Sequence, residues 1–196
     1  MKIQVKLLSL FTTLFLLFSY SAVQSQVLSG SSIGKDVKKV IEDYPNRFAN
    51  ITGNLIVQNP QSADYECNFK VNGAEESTIT FYTSNKNNIC SWQALMYSSD
   101  NFEEVKRRYK ELYNQLNNLA VQLNGLNILH LKGIYDEPKE EKKFAGSLLS
   151  FHPVEETIKK LKVEVSLQYE LMEWKLRVLV YDREREDHEQ GNRIDN

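Results

Sequence analysis

Metal-ligand signatures are missing from this chain. Its three histidines, His130, His152 and His188, never fall at an H-x-x-x-H interval and have no acidic cluster at helical spacing, so no metal site is expected. The eight glycines form no phosphate-cradling loop, and no cysteine–histidine arrangement occurs. Catalytic residues and cofactors are therefore expected to be none. Excess positive charge is missing too. The formal charge of −2 falls to −4 once Lys2 and Lys6, two of the 24 basic residues set against 26 acidic ones, are removed with the leader described next. That balance speaks against nucleic acid or an anionic membrane as the main partner. Long apolar runs are absent as well, with one exception at the N-terminus.

That exception is Leu7 to Phe18, preceded by Lys2 and Lys6 and followed by small or polar residues. The order of charge, short apolar core and small residues predicts a cleavable signal peptide over residues 1–25, with cleavage near Ser25-Gln26. The run is short for a bilayer span, so no stable membrane anchor is expected, and the mature chain should be secreted or periplasmic. Residues 26–34 read as a flexible lead-in, 35–182 as a single domain, and 183–196 as a charged tail.

Within the domain two helices stand out. Val37, Val40, Ile41 and Tyr44 lie at i, i+3, i+4 and i+7, with Pro45 as the stop. Asp100 with Glu103 predicts a capping-box start for a second helix, whose stripe runs Phe102, Val105, Tyr109, Leu112, Leu116, Leu119, Leu123 up to Gly125. Strands fill the gaps: residues 48–57, 65–71, 78–82 and 89–97 after the first helix, and 128–136, 144–151, 161–169 and 174–181 after the second.

Helix plus four strands thus occurs twice. The halves, about 35–97 and 100–181, share a glycine between apolar positions, Ile51-Thr52-Gly53-Asn54-Leu55 and Leu131-Lys132-Gly133-Ile134-Tyr135. Each half also ends in a tryptophan-led alternating strand, Trp92-x-Ala94-x-Met96 and Trp174-x-Leu176-x-Val178. The expected class is α+β: a duplicated helix-plus-four-strand unit, its largely antiparallel sheet carrying both helices on one face. Alternation assigns Ile51, Gly53, Leu55, Cys67, Phe69, Val71, Ile79, Phe81, Trp92, Ala94 and Met96 to the inner face of the first half. In the second half it assigns Leu129, Leu131, Tyr135, Val163, Val165, Leu167, Trp174, Leu176, Val178 and Val180.

Export and two cysteines invite a disulfide. A simple meander, however, puts Cys67 and Cys90 on strands with a third between them, about 10 Å apart and beyond the roughly 7 Å limit for a bridge. Two buried thiols are expected. Lys106, Arg107, Arg108 and Lys110 lie within a turn of Glu103, Glu104 and Glu111, which predicts a salt-bridged helix face. Asn50-Ile51-Thr52 is a formal glycosylation sequon placed on a strand.

The outer sheet face carries the candidate site. Tyr82, Gln93, Leu95, Tyr97, Lys175, Arg177, Leu179 and Tyr181 mix aromatic area with hydrogen-bonding groups, as recognition surfaces do. The expected function is a non-catalytic exported module that binds a protein, a peptide or a small apolar ligand through Tyr82, Gln93, Tyr97, Lys175, Arg177 and Tyr181. The alternative is an exported hydrolase with dispersed carboxylates such as Glu66, Asp136 and Glu164. A homodimer joined sheet to sheet is a third reading.

Overall fold

The computed structural model describes residues 30–83, 89–123 and 125–182; the expected leader, residues 84–88 and the expected charged tail lie outside the described residues. Among the described residues the chain is mixed α+β and mostly sheet, with two helices and nine antiparallel strands.

Helix α1 spans Gly30–Asp43. Ile33, Val37, Val40 and Ile41 are all buried, so the apolar stripe begins one turn earlier than expected. Residues 30–34, assigned to the flexible lead-in, are its first turn. Pro45 then forces a 3-10 turn, Tyr44–Asn46, and Arg47 and Phe48 follow in the left-handed region at φ 57° and 59°. Buried Asp43 holds this reversal, accepting from the Asn50 backbone N–H at 3.2 Å and from the side-chain amides of Asn46 and Asn50. Strand β1, Thr52–Gln58, therefore starts four residues later than expected, and the sequon Asn50 sits in a turn.

Strands β2 (Ser62–Cys67), β3 (Glu76–Tyr82) and β4 (Ile89–Ser99) follow as a meander. Helix α2 is Phe102–Leu116. Its cap is Asn101, whose side chain accepts from the Glu104 N–H at 3.2 Å, one residue after the expected Asp100. It ends at Leu116 instead of running to Leu123. Asn118 takes φ 76° and donates its N–H to the Leu131 carbonyl at 2.6 Å, while Leu131 donates to Leu119 at 3.0 Å. The tail of the apolar stripe is thereby turned into strand β5, Ala120–Gln122. Strands β6 (Ile128–Gly133), β7 (Phe144–His152), β8 (Leu161–Glu170) and β9 (Glu173–Asp182) complete the sheet.

The strand order is β1-β2-β3-β4-β9-β8-β7-β6-β5. Two meanders meet where β4 pairs with β9. Trp92, Ala94, Val163, Val165, Leu167, Leu176, Val178 and Val180 are buried to within 2% and alternate with residues that are mostly half-exposed, the period of a sheet with one dry face. Phe102 packs its ring 4.8 Å from that of Trp174, and Tyr109 meets Ser147 at 2.7 Å. Leu55, expected inside, is 52% exposed. It lies on the edge strand, where two register shifts break the alternation.

Cys67 and Cys90 are free, on strands separated by β3. The Cys67 thiol donates to the Phe69 carbonyl at 3.1 Å, and burial pushes both thiols up from their ordinary pKa.

Candidate functional site

Register assembles the outer face in rows that cross the middle of the sheet. Leu95 on β4 pairs with Arg177 on β9, which pairs with Ser166 on β8. One step along, Gln93 pairs with Leu179, and Leu179 with Glu164. The next row is Ser91, Tyr181 and Lys162. Two leucines thus sit in the centre of a polar surface.

Of the six residues expected to bind, five lie on this face and one does not. Tyr82 closes the outer end of β3 opposite Ile89, half-buried, and Gln93 is half-buried in the middle row. Tyr181 is buried, and its hydroxyl donates to Glu164 Oε2 at 2.8 Å. Arg177 grips Glu170 with both terminal nitrogens, at 3.0 and 2.7 Å, and Lys175 reaches the same carboxylate at 3.8 Å. The Arg177 hydrogen bonds, with the charge of Lys175 behind them, hold the Glu170 carboxyl below the usual range. Tyr97 departs from the expectation. A bulge between Leu95 and Tyr97 sets Tyr97 opposite Leu176, one of the buried-face residues. Its ring lies 3.8 Å under the Arg108 guanidinium, and its hydroxyl bonds Glu104, which helps to hold that carboxyl low. Tyr97 belongs to the contact with α2.

The basic run on α2 is tied up in ion pairs: Lys106 with Glu137 at 2.8 Å, Arg107 with Glu111 at 2.6 Å and Arg108 with Glu104 at 3.1 Å. The Lys106 pair reaches across to the loop after β6, a partner that local spacing does not reveal.

The carboxylates of the hydrolase alternative sit apart in part. Glu66 accepts from the Asn54 amide at 3.1 Å. Asp136 accepts from the Gly146 N–H at 3.1 Å, and Glu164 overlies the same glycine, within 3.0 Å of where a Cβ would stand. Register also brings together a pair that linear spacing hid: His130 on β6 faces His152 on β7. Both are exposed, and His130 Nδ1 lies 3.4 Å from the Asn118 carbonyl. Only the strand pairing could have found them. Among the described residues no group of three or more histidine, cysteine, aspartate or glutamate side chains could hold a metal.

Comparison with known proteins adds nothing to this geometry. No family model, no curated protein and no solved structure matches the chain.

A cleft of about 30 Å³ opens between α1, α2 and β4, beside Ile33, Met96, Tyr97 and Gln115. Gln115 Oε1 is buried there without a hydrogen-bond partner. Such a space takes a water, not a drug-sized ligand. Among the described residues no helix is long and apolar enough to cross a membrane.

Proposed function

We propose that this chain is an exported, non-catalytic binding module whose partner, a protein or peptide, lies across the outer face of β4, β9 and β8. The observation that carries the reading is the arrangement of Leu95 and Leu179 amid fixed polar groups. Glu170–Arg177 and Glu164–Tyr181 are already paired, so little ordering remains for a partner to impose. A small apolar ligand has no room in the cleft between α1, α2 and β4, which is water-sized. Export rests on the leader sequence alone.

The same reading includes a duplicated fold with both helices on the buried face. Several features support it. Each half is a meander ending at the centre of the sheet, with Trp92 on β4 and Trp174 on β9. Gly53 and Gly133 both lie on the fourth strand out from that centre, and a Cβ at either would crowd the chain beside it. It would come to 2.7 Å from Asn68 Oδ1 in one case and 2.1 Å from the Leu148 carbonyl oxygen in the other.

The test begins with mature protein as bait in native envelope or secreted extract. Once a partner is purified, Tyr82→Ala combined with Gln93→Ala should weaken its binding at least about tenfold, the scale of a lost central contact, without changing thermal unfolding. Tyr97→Ala should leave affinity unchanged, because Tyr97 is turned to the other face. The reverse pattern would move the site to the helix side.

A further inference from the structure

The two ends of the sheet are finished differently. Counting outward from the central pair, β1 and β6 are each the fourth strand, but among the described residues only β6 has a fifth strand beyond it. That strand, β5, is three residues long and presents little edge to solvent, one of the ways proteins blunt exposed edges. Among the described residues strand β1 ends its side of the sheet bare over seven residues. None of them is charged, and three consecutive aliphatic side chains, Leu55, Ile56 and Val57, are 52%, 55% and 41% exposed. The two register shifts against β2 let all three project instead of alternating into the core.

A bare edge carries a row of backbone donors and acceptors facing outward, and the complementary object is another strand. The molecule shows the antiparallel solution at the equivalent place, where β5 pairs with β6. Only eight residues separate α1 from β1, against eleven between α2 and β6. Those eight are consumed by the 3-10 turn and the Asp43-held reversal, leaving no internal segment there to play the part of β5. We propose that the missing strand is β1 of a second copy, paired antiparallel across a twofold axis at Ile56. In that register Asn54 opposes Gln58, Leu55 opposes Val57, and Ile56 opposes itself. No charge meets a like charge, which is the condition a self-pairing strand must meet. The result is one eighteen-stranded sheet, and the proposal stands apart from the choice of binding face.

Sedimentation equilibrium of the full mature chain tests it. The weight-average mass should rise toward twice the monomer value between about 1 µM and about 100 µM, the affinity range of a small interface. Ile56→Lys should hold the protein at monomer mass throughout, with unfolding unchanged, because it sets two ammonium groups opposite each other. Val154→Lys, at an equally exposed aliphatic residue far from the edge (64% exposed), should dimerise like the parent. Ile56→Cys should form a disulfide-linked dimer under mild oxidation while Val154→Cys does not, because opposed residues across an antiparallel pair lie within disulfide reach. A parent chain monomeric over the whole range would overturn the proposal. So would a dimer that survives Ile56→Lys, or cross-linking that is equal at 56 and 154.

Discussion

Leu171 and Met172 form the two-residue turn between β8 and β9, with Glu170 opposite Glu173 below them. Both are left-handed, at φ 51° and 71°, and both are almost fully solvent-exposed, at 88% and 80%. The right-handed twist of the strands demands this mirror-image turn, for which asparagine followed by glycine is the low-strain pair. Leucine and methionine instead carry a cost of about 1 kcal/mol each and gain no burial in return. Replacing them together by Leu171→Asn and Met172→Gly should stabilise the domain by about 1–2 kcal/mol and raise the melting temperature by a few degrees. Calorimetry reads this directly, and a lowered melting temperature would show that the tip is not strained. Single residues of this kind are where sequence reading fails. The alternation W-x-A-x-M predicted the faces of Trp92, Ala94 and Met96, but one inserted residue at the bulge reverses every side chain after it, and Tyr97 is the first casualty. The His130–His152 pair was hidden for a related reason: it exists only through a register that no local spacing encodes.

Elements were legible in proportion to how completely one face is buried. The strands β4, β8 and β9 sit mid-sheet with one dry face, so their period of two is clean and their inner residues could be named in advance. At the rim the same logic weakens. Leu55 alternates correctly in sequence yet finds nothing to pack against, and β5 was concealed inside an apolar stripe that reads equally well as helix. The boundaries of α2 show which local forces decide. Asn101 and Asp100 are both competent caps, and the chain uses Asn101, whose Oδ1 meets the Glu104 N–H. Asn101→Ala should therefore cost about 1 kcal/mol, with Asp100→Ala near neutral, as measured by urea unfolding. Equal losses at both positions would mean that the capping bond is shared between them.

Across the whole molecule, the groups with displaced pKa values define a pH window for stability. Glu170, held by its hydrogen bonds to Arg177, Glu104, held by Tyr97 and then Arg108, and Glu137, held by Lys106, all ionise below the usual 4.5. A carboxyl depressed by folding stabilises the native state above its unfolded pKa. That contribution is lost as the pH falls through the lowered native value. Glu104 and Glu137 are surface groups whose share solvent screens, which leaves the partly shielded Glu170 cluster as the main acid-sensitive contact. The alkaline side works with the opposite sign. Burial raises Tyr44 and Tyr109 above their ordinary 10.0, with the nearby Asp182 adding to the shift at Tyr44, and pushes Tyr135 up to about 12. A group raised by folding stabilises the native state below its unfolded pKa, and that contribution disappears as the pH rises past it. Urea midpoints should accordingly be level from about pH 5 to about pH 9 and fall on both sides. Glu170→Gln should flatten the acid limb and leave the alkaline one intact. Tyrosinate absorbance supplies the independent check on the alkaline limb. In the folded protein these three tyrosines should stay protonated until unfolding releases them, so a single titration of every tyrosine near pH 10 with the fold intact would contradict the burial on which the window rests.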